Sequence, residues 1–373
     1  MIGNLFRRIA EGLLETADVR LNGDRPWDIQ VHDPRAFQRS IVGGSIGLGD
    51  AFVENWWSCH DLEELAYRFA INRLEEKAAF LPAGIAHKAA SLLLNQQTRQ
   101  RALRVTRQHY GIDNELFLSF LGAHKNYSCA YFRDAEDLDV AQRQKMELLC
   151  RKLCLKPGEH LLDVGGGWGE FARYAAKEYG VRVTSINICD EQIRFAREYC
   201  RGLDVEVVHC DYRDLRGSFD KVLALAMFTH VGSRNYRTFM ETIGRVLKPN
   251  GLFVMEGIWG NVSTSNIDGW LDKYIFPGGM LPSGAQTFRA FEGIFHVEDL
   301  HNFGPSYVKT LRAWNENFQA AWPKLSTRHH GNLRRIFEYY FLMCAGYFRA
   351  RAIQNWHLVL APNGRSQAPC RVS

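Results

Sequence analysis

The sequence lacks any apolar run long enough to cross a bilayer. Its longest runs, such as Val222 to Phe228, are far shorter than the roughly 20 residues that a membrane-spanning helix needs. The mean hydropathy of −0.26 is typical of a globular protein. Internal repeats and low-complexity segments are also missing. We therefore predict a folded protein without a transmembrane helix.

A large excess of one charge is missing as well. The 46 basic and 41 acidic residues give a net charge of +5, which is compatible with an anionic membrane surface but too small to indicate nucleic-acid binding. The nine cysteines are odd in number and form no CxxC pair, so we expect no metal site. The same pattern fits a protein of the reducing cytosol best. Because the N-terminal segment turns acidic by Glu11 and carries no long apolar stretch, we expect no export signal.

A chain of 373 residues is longer than one ordinary core, which favours two domains. Apolar residues between Ile2 and Leu14 recur at helical spacing and predict an amphipathic first helix that packs on its own domain. Residues 74–107 are predicted to be helical and basic. We place the boundary near residue 95, so that a small N-terminal domain covers 1–95 and a catalytic domain covers 96–373.

Short apolar runs alternate with amphipathic segments from residue 150 onward. The predicted strands are 160–164, 182–188, 205–209, 221–226 and 251–256. The predicted helices are 170–179, 190–201 and 236–246. This alternation indicates the α/β class, a mostly parallel sheet with helices on both faces. Ligands of such folds bind at the carboxyl ends of the strands.

The first of these strands runs into the segment Asp163-Val164-Gly165-Gly166-Gly167-Trp168-Gly169. Glycines there permit positive φ and a close approach of the backbone to a ligand. A dinucleotide-binding turn would need GxGxxG spacing and an acidic residue about 20 positions later, which this segment does not keep. It resembles instead the acidic residue and glycines of the Rossmann-like class I S-adenosylmethionine-dependent methyltransferases. The resemblance assigns Asp163, Gly165 and Gly167 to that cofactor.

Polar residues follow the next two predicted strands. Asn187 stands where such methyltransferases usually carry a carboxylate for the ribose, and Gln192 on the following helix is predicted to assist it. Asp211 and Tyr212 follow the third strand, where an acid and an aromatic ring commonly hold the adenine. The resemblance therefore implies that these four residues contact the cofactor.

A second resemblance is more specific and covers nearly the whole chain. The chain is similar to the cyclopropane-fatty-acyl-phospholipid synthase family in its N-terminal domain, at 46–49 and Trp56-Trp57, and in its catalytic domain. The catalytic-domain segments are His109-Tyr110-Gly111, Tyr127-Ser128-Cys129-Ala130-Tyr131-Phe132, Asp211-Tyr212-Arg213-Asp214-Leu215, Lys273-Tyr274-Ile275-Phe276-Pro277-Gly278-Gly279, His301-Asn302-Phe303-Gly304 and Cys344-Ala345-Gly346-Tyr347-Phe348-Arg349-Ala350-Arg351.

Enzymes of this family add a methyl group from S-adenosylmethionine to a cis double bond of an acyl chain in membrane phospholipid. The resemblance implies that Tyr127 and Ser128 contact the cofactor and that the N-terminal domain serves lipid docking or dimerisation. It further implies a cytoplasmic homodimer that works at the inner face of the membrane. The apolar, aromatic segment 261–282 is predicted to line the acyl tunnel or to form a lid that packs on the sheet.

An alkene is a poor nucleophile that needs no deprotonation. Catalysis therefore depends on positioning the alkene, excluding water and stabilising the carbocation that forms. Tyr307 and Tyr131 are candidates to stabilise that cation through their ring faces. A base must then remove a proton. Loss from the new methyl group gives a cyclopropane, and loss from a neighbouring carbon gives a methylene- or methyl-branched chain.

In the family the base is a bicarbonate, held by Glu, His and Tyr side chains and by backbone N–H groups. The resemblance gives Cys129, Ile258 and Tyr307 as matches, and it matches Cys344 to a further cysteine near the site. Two positions depart from the family pattern. Thr229 replaces the bicarbonate-holding glutamate of its Met-Phe-Glu-His segment, and Glu256 replaces its histidine.

Glu256 leaves two interpretations open. Its carboxylate would serve directly as the base and repel a second anion, with the smaller Thr229 leaving room for it. In the other interpretation Glu256 holds water or bicarbonate by another route, and the product is still a cyclopropane. Because the reaction needs no nucleophile, we interpret Cys344 as a packing residue. His230 and His301 are interpreted as core histidines.

Two other functions stay open. Plant N-methyltransferases of small amines resemble the catalytic domain, although they lack the N-terminal domain. A non-catalytic lipid- or cofactor-binding protein is the other alternative, because two bicarbonate ligands are replaced. Retention of the glycines, Asp211, Cys129 and Tyr307 favours an enzyme.

Overall fold

A computed structural model describes residues 2–78, 114–329, 331–364 and 366–372. The chain divides into two compact units, of which the first comprises 1–95, 266–277 and 307–353, and the second comprises 96–265, 278–306 and 354–373. The boundary predicted near residue 95 lies outside the described residues and stays a prediction, as does most of the basic helical region 74–107. The first unit also contains two later segments, which a single boundary does not anticipate.

The first unit is mainly helical. Its elements are α1 (Ile2–Glu15), β1 (Gln30–Val31), α2 (Arg35–Val53), β2 (Trp57–Ser58), α3 (Leu62–Ile71), α4 (Leu74–Ala78), α10 (Gly269–Tyr274), most of α12 (Gly304–Leu325) and α13 (Leu333–Arg349). Strands β1 and β2 pair antiparallel. Helix α1 confirms the amphipathic helix predicted from the first fifteen residues.

Aromatic side chains form the centre of the first unit. The rings of Phe52 and Trp57 lie 5.0 Å apart, and Tyr339 contacts both. Trp270 packs on Tyr339 with ring centroids 4.6 Å apart. A side chain at Gly49 would meet the Trp270 indole, since a Cβ there would lie 2.3 Å from it. Residues 266–277 belong to the segment 261–282 that is predicted to line the acyl tunnel or to form a lid on the sheet. They pack against α2, and the tunnel role of the segment stays a prediction.

The second unit is built on a seven-stranded sheet of order β5-β4-β3-β6-β7-β9-β8. Its strands are β3 (His160–Val164), β4 (Arg182–Asn187), β5 (Val205–His209), β6 (Phe219–Leu225), β7 (Leu247–Gly260), β8 (Phe295–Asn302) and β9 (Ile353–Pro362). Strands β3 to β7 run parallel, whereas β8 and β9 pair antiparallel. The predicted mostly parallel α/β sheet is confirmed.

Helices pack on both faces of this sheet, because the apolar side chains on each face of a parallel sheet must be shielded from water. The helices of the second unit are α5 (Asn114–Leu118), α6 (Leu138–Lys152), α7 (Glu170–Tyr179), α8 (Asp190–Tyr199), α9 (Tyr236–Val246) and α11 (Gly284–Phe291). Helices α6 and α7 pack on one face, and α9 and α11 pack on the other. None of the helices in the described ranges carries an apolar stretch of membrane-spanning length.

The order of the strands fixes where a ligand fits. From β3 the chain moves outward through β4 to β5, and it then returns to the other side of β3 as β6. This reversal opens a crevice at the carboxyl ends of β3 and β6, the usual ligand site of such sheets.

Candidate active site

A cavity of about 180 Å³ lies at this crevice. It is bordered by the turns that follow β3, β4, β5 and β6 and by the loop 125–128. All of the residues predicted to bind the cofactor line it: Tyr127, Ser128, Asp163, Gly165, Gly167, Asn187, Gln192, Asp211 and Tyr212. Residues far apart in sequence thus meet around one space.

The β3 turn supplies a buried carboxyl group. Asp163 is 1% exposed and accepts a 3.1 Å hydrogen bond from the Ser185 hydroxyl, while its Oδ1 is enclosed without a partner among the described residues. Burial raises the pKa of Asp163 to about 7. Gly166 must be glycine, because a Cβ there would lie 1.9 Å from the Ser185 Oγ and 2.5 Å from the Asp163 Oδ2.

The β4 turn is organised by Asn187. Its Oδ1 accepts hydrogen bonds from the backbone N–H groups of Ile188 and Cys189, at 2.7 and 3.1 Å. Its side-chain amide donates a 2.9 Å hydrogen bond to the Gln192 Oε1, so the two residues predicted to act together contact each other directly. Their predicted contact with the ribose stays a prediction.

The β5 turn brings Asp211 and Tyr212 to the cavity. Asp211 accepts hydrogen bonds from the Arg213 guanidinium, the shortest at 2.8 Å, and from the Arg213 backbone N–H. The Tyr212 ring packs edge-on against Phe239 at 5.2 Å, and its burial raises the pKa of the phenol to about 12. The acid is therefore held in place by its neighbour, and the adenine contact of this pair stays a prediction.

A fixed loop carries Tyr127 and Ser128. The buried Gln142 of α6 donates to the Ser128 carbonyl at 3.1 Å. Lys145, one turn further along α6, donates to the Ser128 hydroxyl at 2.8 Å and is itself fully buried. Tyr127 packs edge-on against Phe117 at 5.4 Å. Polar groups of α6 thus position this loop at the edge of the cavity.

Glu256 lies within β7, opposite Leu225 at the carboxyl end of β6, just behind the cavity wall that Leu225 and Ala226 form. It is 1% exposed, and its Oε2 has no hydrogen-bond partner among the described residues. The Cys129 backbone N–H reaches its carboxylate. The backbone N–H of Ala226, which lines the cavity, donates to the Glu256 carbonyl at 3.0 Å. Ala226 holds φ at +53°, a strained value for a residue with a side chain.

Lys145 and Glu256 are a buried pair of opposite charges. Burial raises the pKa of Glu256 above the usual carboxyl range, and the Lys145 ammonium opposes that rise. Burial likewise lowers the pKa of Lys145, and Glu256 opposes that change first, followed by Cys129 and Glu170. Each group favours the charged form of the other, which keeps a carboxylate available near neutral pH.

The other predicted positions in the second unit lie close by. The Thr229 hydroxyl donates to the Ala226 carbonyl at 3.4 Å, so it lies next to the residue whose N–H binds the Glu256 carbonyl. Ile258 follows Glu256 by two residues on β7 and so faces the same side of the sheet. His230 lines the cavity, and burial lowers the pKa of its imidazole to about 4.

Tyr131 packs edge-on against His301 and Phe303, with ring centroids 5.5 Å apart in each case. The remaining two predicted residues belong to the first unit. Tyr307 packs on Phe348 at 4.5 Å. Cys344 lies in α13, where burial raises the pKa of its thiol to about 12, in keeping with a packing residue. The catalytic roles proposed for Tyr307 and Cys344 stay predictions.

Sequence reasoning missed Lys145, Asn355 and His357. All three are fully buried. A lysine in an amphipathic helix normally faces solvent, so Lys145 carries no signal. Asn355 and His357 alternate with Trp356 and Leu358 along β9, and this period of two could have indicated a polar row on one face.

In the described ranges no group of three or more His, Cys, Asp or Glu side chains could hold a metal ion.

Several known proteins are similar to this chain. The family model described as mycolic acid cyclopropane synthetase matches residues 97–358. The cyclopropane-fatty-acyl-phospholipid synthase of Escherichia coli (strain K12) is 42% identical over 354 residues, which cover 95% of this chain and 93% of that protein. The tuberculostearic acid methyltransferase UfaA1 of Mycobacterium tuberculosis is 29% identical, covering 90% of this chain and 83% of that protein.

A solved structure agrees with the fold. The crystal structure of mycolic acid cyclopropane synthase CmaA1 complexed with SAH and CTAB superposes with a TM-score of 0.65 at 26% identity. The match covers 69% of this chain and 97% of that one.

Proposed function

This chain belongs to the cyclopropane-fatty-acyl-phospholipid and mycolic acid cyclopropane synthase family of S-adenosylmethionine-dependent enzymes that modify lipid acyl chains, and we propose that Glu256 is its catalytic base. The substrate in this proposal is a cis double bond in an acyl chain of membrane phospholipid. The product is a cyclopropane, or a methyl- or methylene-branched chain, according to which carbon loses the proton.

The cavity suits S-adenosylmethionine, which supplies the electrophilic methyl group. An enclosed carboxyl oxygen of Asp163 has no partner among the described residues, and it would accept a hydrogen bond from the cofactor. Asn187 with Gln192, and Asp211 with Tyr212, would hold the nucleoside, while Tyr127 and Ser128 close the cavity from the loop side. Glycine at 165 and 167 keeps the β3 turn open to the ligand.

The observation that carries the proposal is the state of Glu256. A carboxylate with an enclosed, unpartnered oxygen, next to a lysine ammonium and a strained turn at the cavity wall, is set up to accept a proton. A negatively charged group at this position would also repel bicarbonate. Cys129 brings its backbone N–H to this carboxylate, and Ile258 is proposed to contribute backbone there as well. Tyr131 and Tyr307 are the proposed ring faces for the cation.

Purified protein tests this directly. The full chain is incubated with S-adenosylmethionine and phosphatidylglycerol vesicles carrying cis-monounsaturated acyl chains, with bicarbonate present or removed. We expect labelled methyl groups in the lipid without bicarbonate, and a loss of about 100-fold in Glu256→Gln. Glu206→Gln, on the exposed side of β5, is the matched control. Strict dependence on bicarbonate, or full activity of Glu256→Gln, contradicts the assignment of the base.

Mass spectrometry and proton NMR of the extracted lipid identify the product, because cyclopropane protons and olefinic methyl groups have distinct shifts. Transfer to a small amine in place of lipid would favour an N-methyltransferase. Cofactor binding without any transfer would favour a non-catalytic lipid- or cofactor-binding protein.

The cellular setting is also part of the proposal. We place the enzyme in the cytoplasm, peripherally bound to the inner face of the membrane, as a homodimer whose N-terminal domain contacts lipid. The net charge of +5 is compatible with an anionic surface. Co-sedimentation with anionic vesicles and analytical ultracentrifugation test the two parts separately.

A further inference from the structure

Glu256 belongs to a buried polar row that crosses the sheet. On β7, Leu252 and Val254 pack with α6, so Glu256, which is two residues further along, faces α6 as well. On β9, Val359 and Ala361 face α6, and so do Asn355 and His357. The opposite face is apolar and includes the stacked Trp259 and Trp356. The polar residues therefore all lie on one side of the sheet.

The row continues onto β8, the strand at the edge of the sheet. His301 lies directly opposite His357 in the antiparallel register, with ring centroids 6.4 Å apart. Asp299, two residues before His301, lies opposite Val359 and forms an ion pair with Lys152. Strand β8 has a neighbouring strand on one side only. The row therefore comes closest to solvent at His301 and Asp299.

Helix α6 closes the row with two buried cations. Lys145 and Lys152 are seven residues apart, two turns of helix, and both have fully buried side chains. Lys145 stands at the Glu256 end and Lys152 at the Asp299 end. Charges thus balance at both ends of the row, and the uncharged Asn355, His357 and His301 lie between them.

The members between the two ends have polar atoms without partners. Both ring nitrogens of His357 and the Nδ1 of His301 are enclosed without a hydrogen-bond partner among the described residues, while the Asn355 side chain reaches the Glu256 carboxylate. Buried polar groups of this kind are usually satisfied by ordered water. Alternate residues on a strand are about 6.7 Å apart, a distance that one bridging water can span.

We propose that this row carries the proton from Glu256 to the edge of the sheet after each turnover. The inference rests on the proposed role of Glu256 as base. In the reaction, a C–H bond of the cationic lipid breaks, its electron pair forms the new C–C or C=C bond, and the proton joins the Glu256 carboxylate. Glu256 is then discharged through water held by the Asn355 amide to His357, which accepts at one nitrogen and releases from the other, and onward to His301 and solvent.

Burial and the nearby lysines keep both imidazoles of the row uncharged. Burial lowers the pKa of His357 well below its ordinary value, with Lys152, His301 and Lys145 adding to the effect. Burial and then Lys152 lower the pKa of His301, which Asp299 opposes. Neither imidazole therefore keeps the proton, and both are neutral relays with one donor and one acceptor nitrogen.

A comparison of first and later turnovers tests the inference. The full chain, in excess over labelled S-adenosylmethionine, is mixed with phosphatidylglycerol vesicles and quenched within one turnover, and the same reaction is then run with cofactor in excess. In His357→Gln we expect the multiple-turnover rate to fall about tenfold while the single-turnover rate stays within about twofold of the parent. His296→Gln changes a half-exposed histidine on the same strand as His301; it is the control and should change neither rate.

The two proposals fail in different ways. Loss of the single-turnover rate in Glu256→Gln together with unchanged rates in His357→Gln and His301→Gln overturns the relay alone. Equal slowing of both rates in His357→Gln also overturns it, because it indicates a structural role. Full single-turnover activity of Glu256→Gln overturns the base itself and the relay with it. Binding of S-adenosylhomocysteine, measured by calorimetry, confirms that each variant is folded.

Discussion

Lys145 donates a 2.8 Å hydrogen bond to the Ser128 hydroxyl, one residue before the Cys129 backbone N–H that reaches Glu256. Its ammonium forms no ion pair within 4.0 Å with any acidic side chain in the described ranges. The lysine therefore links the loop 125–128 to Glu256, the proposed base, through a hydrogen bond on one side and a longer-range charge on the other. This arrangement makes the charge of Lys145 measurable in the pH dependence of the reaction.

Replacing Lys145 with methionine removes that charge and keeps most of the volume. The carboxylate of Glu256 then loses its stabilising cation, its pKa rises further, and the unprotonated base becomes available only at higher pH. We expect the acid limb of the pH–rate profile to move up by about one pH unit. Lys145→Arg keeps the charge and should leave the limb near its original position. An unmoved limb in Lys145→Met would show that the two charges do not interact.

Asp163 should make the cofactor-free protein less stable as pH rises. Its pKa is about 7 in the folded protein against 3.8 in an unfolded chain, so between these values the folded state binds more protons. The free energy of unfolding therefore falls as pH rises through this window. In Asp163→Asn this contribution disappears, so the variant gains stability relative to the parent from pH 5 to pH 8. Urea denaturation at several pH values measures it, with the exposed Asp134→Asn as control.

Glu63 tests the packing of the first unit. Its buried carboxylate accepts two 2.6 Å hydrogen bonds from Arg312 and lies 3.3 Å from Arg349. Glu63→Gln keeps the shape and removes the charge, and we expect the free energy of unfolding to fall by about 2 kcal/mol. The exposed pair Arg237–Glu241 offers a control, since Glu241→Gln should change stability by less than about 0.5 kcal/mol. Equal effects of the two substitutions would contradict the role given to Glu63.

The two departures from the family pattern can be reversed together. In Thr229→Glu with Glu256→His, the chain would carry the pair that the resemblance associates with a bound bicarbonate. We expect this double variant to need added bicarbonate in carbon-dioxide-free buffer, whereas the parent does not. Thr229→Glu alone would place a second carboxylate near Glu256, and mutual repulsion should reduce its activity. A double variant that works equally well without bicarbonate would count against the exchange.

Local patterns in the sequence are sufficient to predict the strands from β3 to β7. Apolar runs of four to seven residues bounded by glycine or polar turns, such as 160–164, mark buried parallel strands, and the turns that follow them carry the residues predicted to bind the cofactor. The polar row could not be predicted in this way. Whether His357 meets His301 depends on the register between two strands, and whether Lys145 is buried depends on which face α6 turns to the sheet. Both are decided by packing between distant segments, as is the grouping of Trp270 with Gly49.

The position of β9 also has a consequence for biosynthesis. This strand follows all the other strands in chain order, yet it lies inside the sheet between β7 and β8. A nascent chain that has released β3 to β8 therefore still exposes the edge of β7 on which the last strand must pair. Such an open edge invites pairing with other chains. The ribosome-bound intermediate would thus be the form most in need of a chaperone, and the proposed relay is incomplete in it until Asn355 and His357 arrive with that strand.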